Sequence, residues 1–189
     1  MNAFSSRFAK WLGFAALAMT AAAAHANLVT NGGFETGDLS GWSQFGNTGF
    51  TGVAGSPFNH TGSFGAFFGP VGSTGGISQT LSTVAGTTYT VDFWLRNDGG
   101  TPNSFSWDWD GTTQAAPNLS DAPEFGYTEY TFDVTASGAS TTLVFTFQQD
   151  PAYYGLDDVS VTQVPEPGTI LLFGAALVAA GAARRRKPA

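Results

Sequence analysis

The feature that most constrains the fold is strict two-residue alternation in the middle of the chain. From Thr87 to Arg96, Tyr89, Val91, Phe93 and Leu95 share one parity, while Thr90, Asp92, Trp94 and Arg96 share the other. Successive strand side chains point to opposite faces, so this pattern specifies a β-strand with one apolar and one polar face. A helix would scatter the same aromatics around its axis. The pattern recurs. Asn103 to Asp110 sets Phe105, Trp107 and Trp109 against Ser104, Ser106, Asp108 and Asp110. Tyr130, Phe132 and Val134 share a parity, as do Leu143, Phe145 and Phe147. Asp98-Gly99-Gly100 and Asp110-Gly111 are turn signals between such runs. One-faced strands must cover their apolar sides with one another, and two antiparallel sheets packed face to face do so. The expected fold class is all-β: one jelly-roll β-sandwich.

The two ends do not fit this domain. Arg7 and Lys10 precede an apolar run from Trp11 to Ala24, and Ala24-His25-Ala26 is a small-residue cleavage site. These are the parts of a secretory, Sec-type signal peptide over residues 1–26, so the mature chain is expected to begin at Asn27. At the other end, Pro165, Glu166 and Pro167 terminate the sandwich near residue 163, because proline cannot sit inside a helix or a central strand. An uncharged apolar run, 169–183, follows and is expected to form a transmembrane helix. The basic cluster Arg184, Arg185, Arg186 and Lys187 then stops it on the cytoplasmic side. At 1.5 Å per residue the run makes roughly 22 Å of helix against a hydrocarbon core of roughly 30 Å, a marginal span that needs its arginines to snorkel. The expected division is therefore 1–26, 27–163 and 164–189.

Charge excludes one class of partner. All 14 acidic residues lie between Glu35 and Glu166, and the same segment has one base, Arg96. So acidic a surface repels nucleic acid and anionic lipid and offers carboxylates to cations. The chain has no cysteine, so packing or a metal must replace disulfides in this exported domain.

Several segments resemble a known family. Asn27-Leu-Val-Thr-Asn-Gly-Gly-Phe-Glu35, followed by Gly41-Trp42, resembles the opening of galactose-binding-like jelly rolls, among them several carbohydrate-binding modules. Gly155-Leu-Asp-Asp-Val-Ser-Val161 resembles their closing strand, and Gln79-Thr-Leu, Gly86 to Val91 and Tyr127 to Phe132 fit the pattern between. Val164-Pro-Glu-Pro-Gly168 with its apolar run and arginines resembles the PEP-CTERM sorting signal of exopolysaccharide-producing bacteria. That resemblance implies recognition at the inner membrane by an exosortase, which removes the tail near Pro-Glu-Pro.

The strongest metal candidate joins the first and last strands. Asp157 shares parity with Val159 and Val161; if the valines face the core, its carboxylate points inward. A buried carboxylate without a partner is costly, and a hard cation with oxygen ligands would relieve it. The jelly-roll resemblance implies a structural Ca2+ held by Glu35 and by Asp157 or Asp158, Asp157 ahead of Asp158. The alternative is a strand-end carboxylate that is solvated or protonated.

For ligand binding, Trp94 lies on the polar parity of its strand between Asp92 and Arg96. Aromatic, acid and guanidinium on one outer face can stack on a sugar and bond its hydroxyls. Alternatively, a loop or terminal segment covers Trp94. Trp107 and Trp109 are expected in the core, and Trp42 as a core plug.

Catalysis finds little support. Ser106-x-Asp108-x-Asp110-Gly111 mimics half an EF-hand loop, but Pro117 stands where the bidentate glutamate belongs. Asp108 and Asp110 as a glycosidase pair have nothing nearby to raise a pKa. A serine triad would have to use His60, in a Gly/Ser/Asn-rich stretch without a nucleophile elbow. The expectation is a secreted, noncatalytic cell-surface or matrix protein that associates with extracellular polysaccharide. A purely structural surface protein is the alternative, and a polysaccharide hydrolase a distant third.

Overall fold

A computed structural model describes residues 26–150 and 152–165, together with Gly174. The expected signal peptide, Glu166 and Pro167, the basic cluster and nearly all of the 169–183 run lie outside the described residues.

The domain is a sandwich of two antiparallel sheets. Eleven strands are described: β1 (Ser43–Gly46), β2 (Thr51–Ala54), β3 (Gly65–Phe68), β4 (Gly75–Ser82), β5 (Thr88–Asn97), β6 (Asn103–Trp109), β7 (Thr112–Thr113), β8 (Leu119–Ser120), β9 (Phe125–Thr135), β10 (Ser140–Gln149) and β11 (Tyr154–Gln163). The first sheet runs β1-β4-β10-β6-β7, with β8 also paired to β6; the second runs β2-β3-β11-β5-β9. Chain neighbours are thus shared out between the sheets, the jelly-roll arrangement.

The parities expected from sequence set the core. Tyr89, Val91, Phe93 and Leu95 of β5 are buried, as are Phe105, Trp107 and Trp109 of β6 and Leu143, Phe145 and Phe147 of β10. Phe68 of the second sheet stacks on Phe147 of the first with ring centroids 3.9 Å apart. Phe93 meets Phe105, Trp107 and Phe145 across the same gap. Rings are large apolar surfaces, so this stack supplies much of the stabilisation that disulfides cannot. Trp42 plugs one side of the sandwich, stacked on Phe34, and donates its indole N–H to the Asn31 carbonyl at 3.1 Å. The Asp110-Gly111 turn takes φ of 53° and 76° and closes the β6–β7 hairpin.

One expectation about β11 is corrected. The strand carries a bulge between Asp157 and Ser160, and Asp158 has φ 49°. A bulge adds a residue and reverses parity along the strand. Tyr154 and Leu156 face the core before it, and Val159 and Val161 after it. Asp157 therefore does not follow the valines inward. It pairs with Trp94, whose side chain is on the outer face of the second sheet.

Candidate functional site

Residues 55–64 form a strap across the outer face of the second sheet. Phe58 packs on Phe67 and Tyr153, and its carbonyl accepts the Tyr127 hydroxyl. The Arg96 guanidinium sits over the Phe58 ring, donates to the Pro57 carbonyl and pairs with Asp98. The His60 imidazole stacks on Trp94 with centroids 3.7 Å apart and planes 14° from parallel. The expected platform of Asp92, Trp94 and Arg96 does share one outer face. The strap nevertheless occupies its indole and its guanidinium, and Asp92 lies 3.5 Å from the Ser160 hydroxyl.

The strap is held by the three carboxylates singled out from sequence. Asp157 is fully buried; its Oδ2 accepts the His60 and Thr61 amides at 2.7 and 3.2 Å, and its Oδ1 the Asp158 amide at 2.8 Å. Asp158 meets His60 Nδ1 at 2.7 Å and accepts the Thr61 hydroxyl at 2.7 Å. Glu35 accepts the Ser63 amide at 2.9 Å and the Phe64 amide at 3.0 Å. Gly62, φ 59°, lies so close to the Glu35 carboxylate that a Cβ there would be 2.2 Å from Oε1. Burial pushes the Asp157 carboxyl up to about 6, against the opposing pull of the three amides, and the neighbouring Asp158 charge raises it further. Burial likewise pushes the Tyr127 phenol up, with the Asp157 charge adding to it.

Glu35, Asp157 and Asp158 are thus brought together. A Cβ placed on Gly33 would lie 3.7 Å from Asp158 Oδ1, 3.8 Å from Glu35 Cγ and 3.9 Å from Asp157 Oδ1, so the glycine leaves a small space that all three acids border. Their oxygens are the hard donors a Ca2+ ion takes. As they stand they are capped by amides, and among the described residues no three His, Cys, Asp or Glu side chains form a ready metal group. Sequence reasoning missed His60 and Thr61, which sit nearly a hundred residues from their partners in a stretch with no periodicity.

The outer face of the first sheet carries half-buried and exposed side chains. Strand register places Ser43, Ser78, Val144, Asp108 and Thr113 in one row across five strands, and Phe45, Gly76, Thr146 and Ser106 in the next. Thr80 and Thr142 flank these rows on one side, and Gln148, Ser104 and Ser120 on the other. Phe45 folds over the sheet; a Cβ on Gly76 would lie 2.7 Å from its Cζ. Asp108 Oδ1 is shielded by its neighbours and has no hydrogen-bond partner. The glycosidase pairing of Asp108 with Asp110, set aside from sequence, does not arise on this face either, since Asp110 turns off the strand to accept the Ser137 hydroxyl. With Ser137, Asp110 lines a separate cleft of about 380 Å³ beside Trp109 and Asp133.

A jelly-roll sandwich of two antiparallel sheets is the fold of the carbohydrate-binding modules to which this chain is similar. Residues 26–155 match the carbohydrate binding domain family, and the chain belongs to it. Residues 163–187 match the PEP-CTERM protein-sorting motif, which marks an exported protein of the cell surface. Among solved structures, TmCBM61, solved with β-1,4-galactotriose, is similar at a TM-score of 0.57 and 16% identity, covering 74% of this chain and 99% of that one. The CBM22-1 xylan-binding domain of Paenibacillus barcinonensis Xyn10C gives 0.54 and 17%, covering 75% and 97%. A family 16 carbohydrate binding module gives 0.53 and 17%, covering 72% and 99%. No curated protein matches the chain.

Proposed function

We propose that this domain binds a neutral polysaccharide outside the cell along the outer face of its first sheet. The observation that carries the reading is the contrast between the two outer faces. On the second sheet Trp94 lies under His60 and Arg96 is engaged by the strap. On the first, Phe45 lies over Gly76 among serine, threonine and glutamine side chains, with Asp108 the one carboxylate in the rows described. A ring to stack on and hydroxyls and amides to bond are the groups a sugar chain needs. The reading is noncatalytic: a module that holds its ligand and carries out no chemistry on it.

The sorting motif supports a route to the surface. In this reading an exosortase recognises Pro165, Glu166 and Pro167 at the inner membrane and removes the tail, leaving the domain attached to or embedded in exopolysaccharide. Glu35, Asp157 and Asp158, with nearby backbone carbonyls, would hold a structural Ca2+ that neutralises the buried carboxylate and fastens the strap. The test is affinity electrophoresis of the purified exported chain in gels containing xylan, β-1,4-galactan or the producing cell's own exopolysaccharide. Retardation by at least one of them, lost in Phe45→Ala and kept in Trp94→Ala, is expected. No retardation by any of them would leave a purely structural surface protein as the better reading.

A further inference from the structure

The turn between β1 and β2 presents an aromatic ring in a way that turn-making does not require. Phe50 has φ 56°, the left-handed region that disfavours a side chain, and its ring is 66% exposed. Phe34 shares the same backbone conformation, but there the ring is fully buried and the core holds it. No burial compensates at Phe50. A turn with only a connecting role would take glycine or asparagine at such a position.

The turn is also firmly built. The Asn47 amide donates to the Thr74 carbonyl at 3.0 Å, and the Asn47 side chain donates to the Val71 carbonyl at 2.9 Å. The Gly49 amide donates back to Asn47 Oδ1 at 3.0 Å, and the Gly69 amide to the Phe50 carbonyl at 2.9 Å. These bonds tie the turn to the β3–β4 loop, whose Val71 is itself 52% exposed. The result is a small apolar step at the end of the sandwich, held through Asn47, Gly49, Gly69 and Thr74. The sequence from Leu39 to Val91 contains no Asp, Glu, Lys or Arg, and Asp150, whose carboxylate reaches this loop, accepts the Gly72 amide at 3.0 Å.

We propose that Phe50 is a second stacking platform for the same neutral polysaccharide, engaging units that run past the edge of the first sheet. This rests on the reading that the Phe45 face binds such a chain. Phe45 in β1 and Phe50 just before β2 are five residues apart, a reach of at most about 17 Å of extended chain, so a ligand touching both is a chain of several sugars. The domain would then grip the interior of a long polymer and bind short oligosaccharides weakly.

The test compares Phe50→Gly, Phe50→Trp and Phe45→Ala in the purified exported chain, by affinity electrophoresis against xylan, β-1,4-galactan and the cell's own exopolysaccharide. Glycine takes φ 56° without strain, so Phe50→Gly should leave the melting temperature unchanged or raised while weakening polysaccharide binding about tenfold, equivalent to about 1.4 kcal/mol. Phe50→Trp should retain binding. If Phe50→Gly binds as the wild type does while Phe45→Ala fails, the Phe50 platform is overturned and the sheet-face reading stands. If the wild type binds none of the polymers, both fall. If Phe50→Gly instead releases the chain from phosphatidylcholine vesicles and leaves polysaccharide binding intact, the exposed ring is a lipid contact and the proposal is wrong.

Discussion

The imidazole of His60 lies parallel to the indole of Trp94, 3.7 Å away and 14° from coplanar orientation, while its Nδ1 meets Asp158 at 2.7 Å. One loop side chain thus covers the outer tryptophan and ties the strap to the bulge in β11. His60→Ala should uncover Trp94 and shift the tryptophan emission to longer wavelength, with a stability loss of about 1 kcal/mol for the lost ring contact. Unchanged emission would mean that the strap does not depend on this stack.

The proposed calcium site makes a paired prediction. Chelation with EGTA should lower the melting temperature of the wild-type chain, and should lower that of Asp157→Ala much less. Equal shifts in both proteins would place the ion elsewhere; no shift in the wild type would argue against a structural calcium.

Without calcium, pH should act through Asp157. Its carboxyl is pushed from 3.8 to about 6 in the folded chain. Between those values the folded state holds a proton that the unfolded state has released, so the folded state is favoured at low pH. This contribution, on the order of 3 kcal/mol, is full below about 4 and is lost as pH rises to about 6. Urea unfolding in EGTA across that window should show the decline, and Asp157→Asn should flatten it. Added calcium should stabilise more at pH 7 than at pH 5, because only the ionised carboxylate binds the metal.

The core makes a sharper demand than the surface. Phe93 is fully buried and touches rings from both sheets, including Phe105, Tyr130 and Phe145. Phe93→Ala should cost about 3–5 kcal/mol in denaturant unfolding. Phe45→Ala, on the outer face, should stay within about 0.5 kcal/mol.

The proposed sorting step predicts a mass. The chain recovered outside the cell should lack residues 1–26 and the tail after the Pro165-Glu166-Pro167 motif. An intact-mass measurement that finds the tail still attached would argue for a permanent anchor.

Much of the fold was legible because strand parity is local. Alternation along residues 87–96, 103–110 and 143–147 predetermined which side chains face the core, and the structure buries Val91, Phe93, Phe105 and Phe145 accordingly. The acids of the β11 corner were also named from sequence, yet their arrangement was not. A single extra residue in the bulge moved Asp157 from the valine face to the Trp94 face, and parity counting carries no signal for a bulge. Nor could it show that His60 and Thr61 would arrive from a Gly/Ser-rich stretch to cap those acids, or that the strap would cross one outer face. Sequence alone determined the strands, their apolar sides, the acidity of the domain and its sorting motif, because these depend on neighbours along the chain. Which tryptophan is covered, which carboxylates meet and which face the strap crosses were decided by tertiary structure, because contacts across a hundred residues depend on how the strands pair.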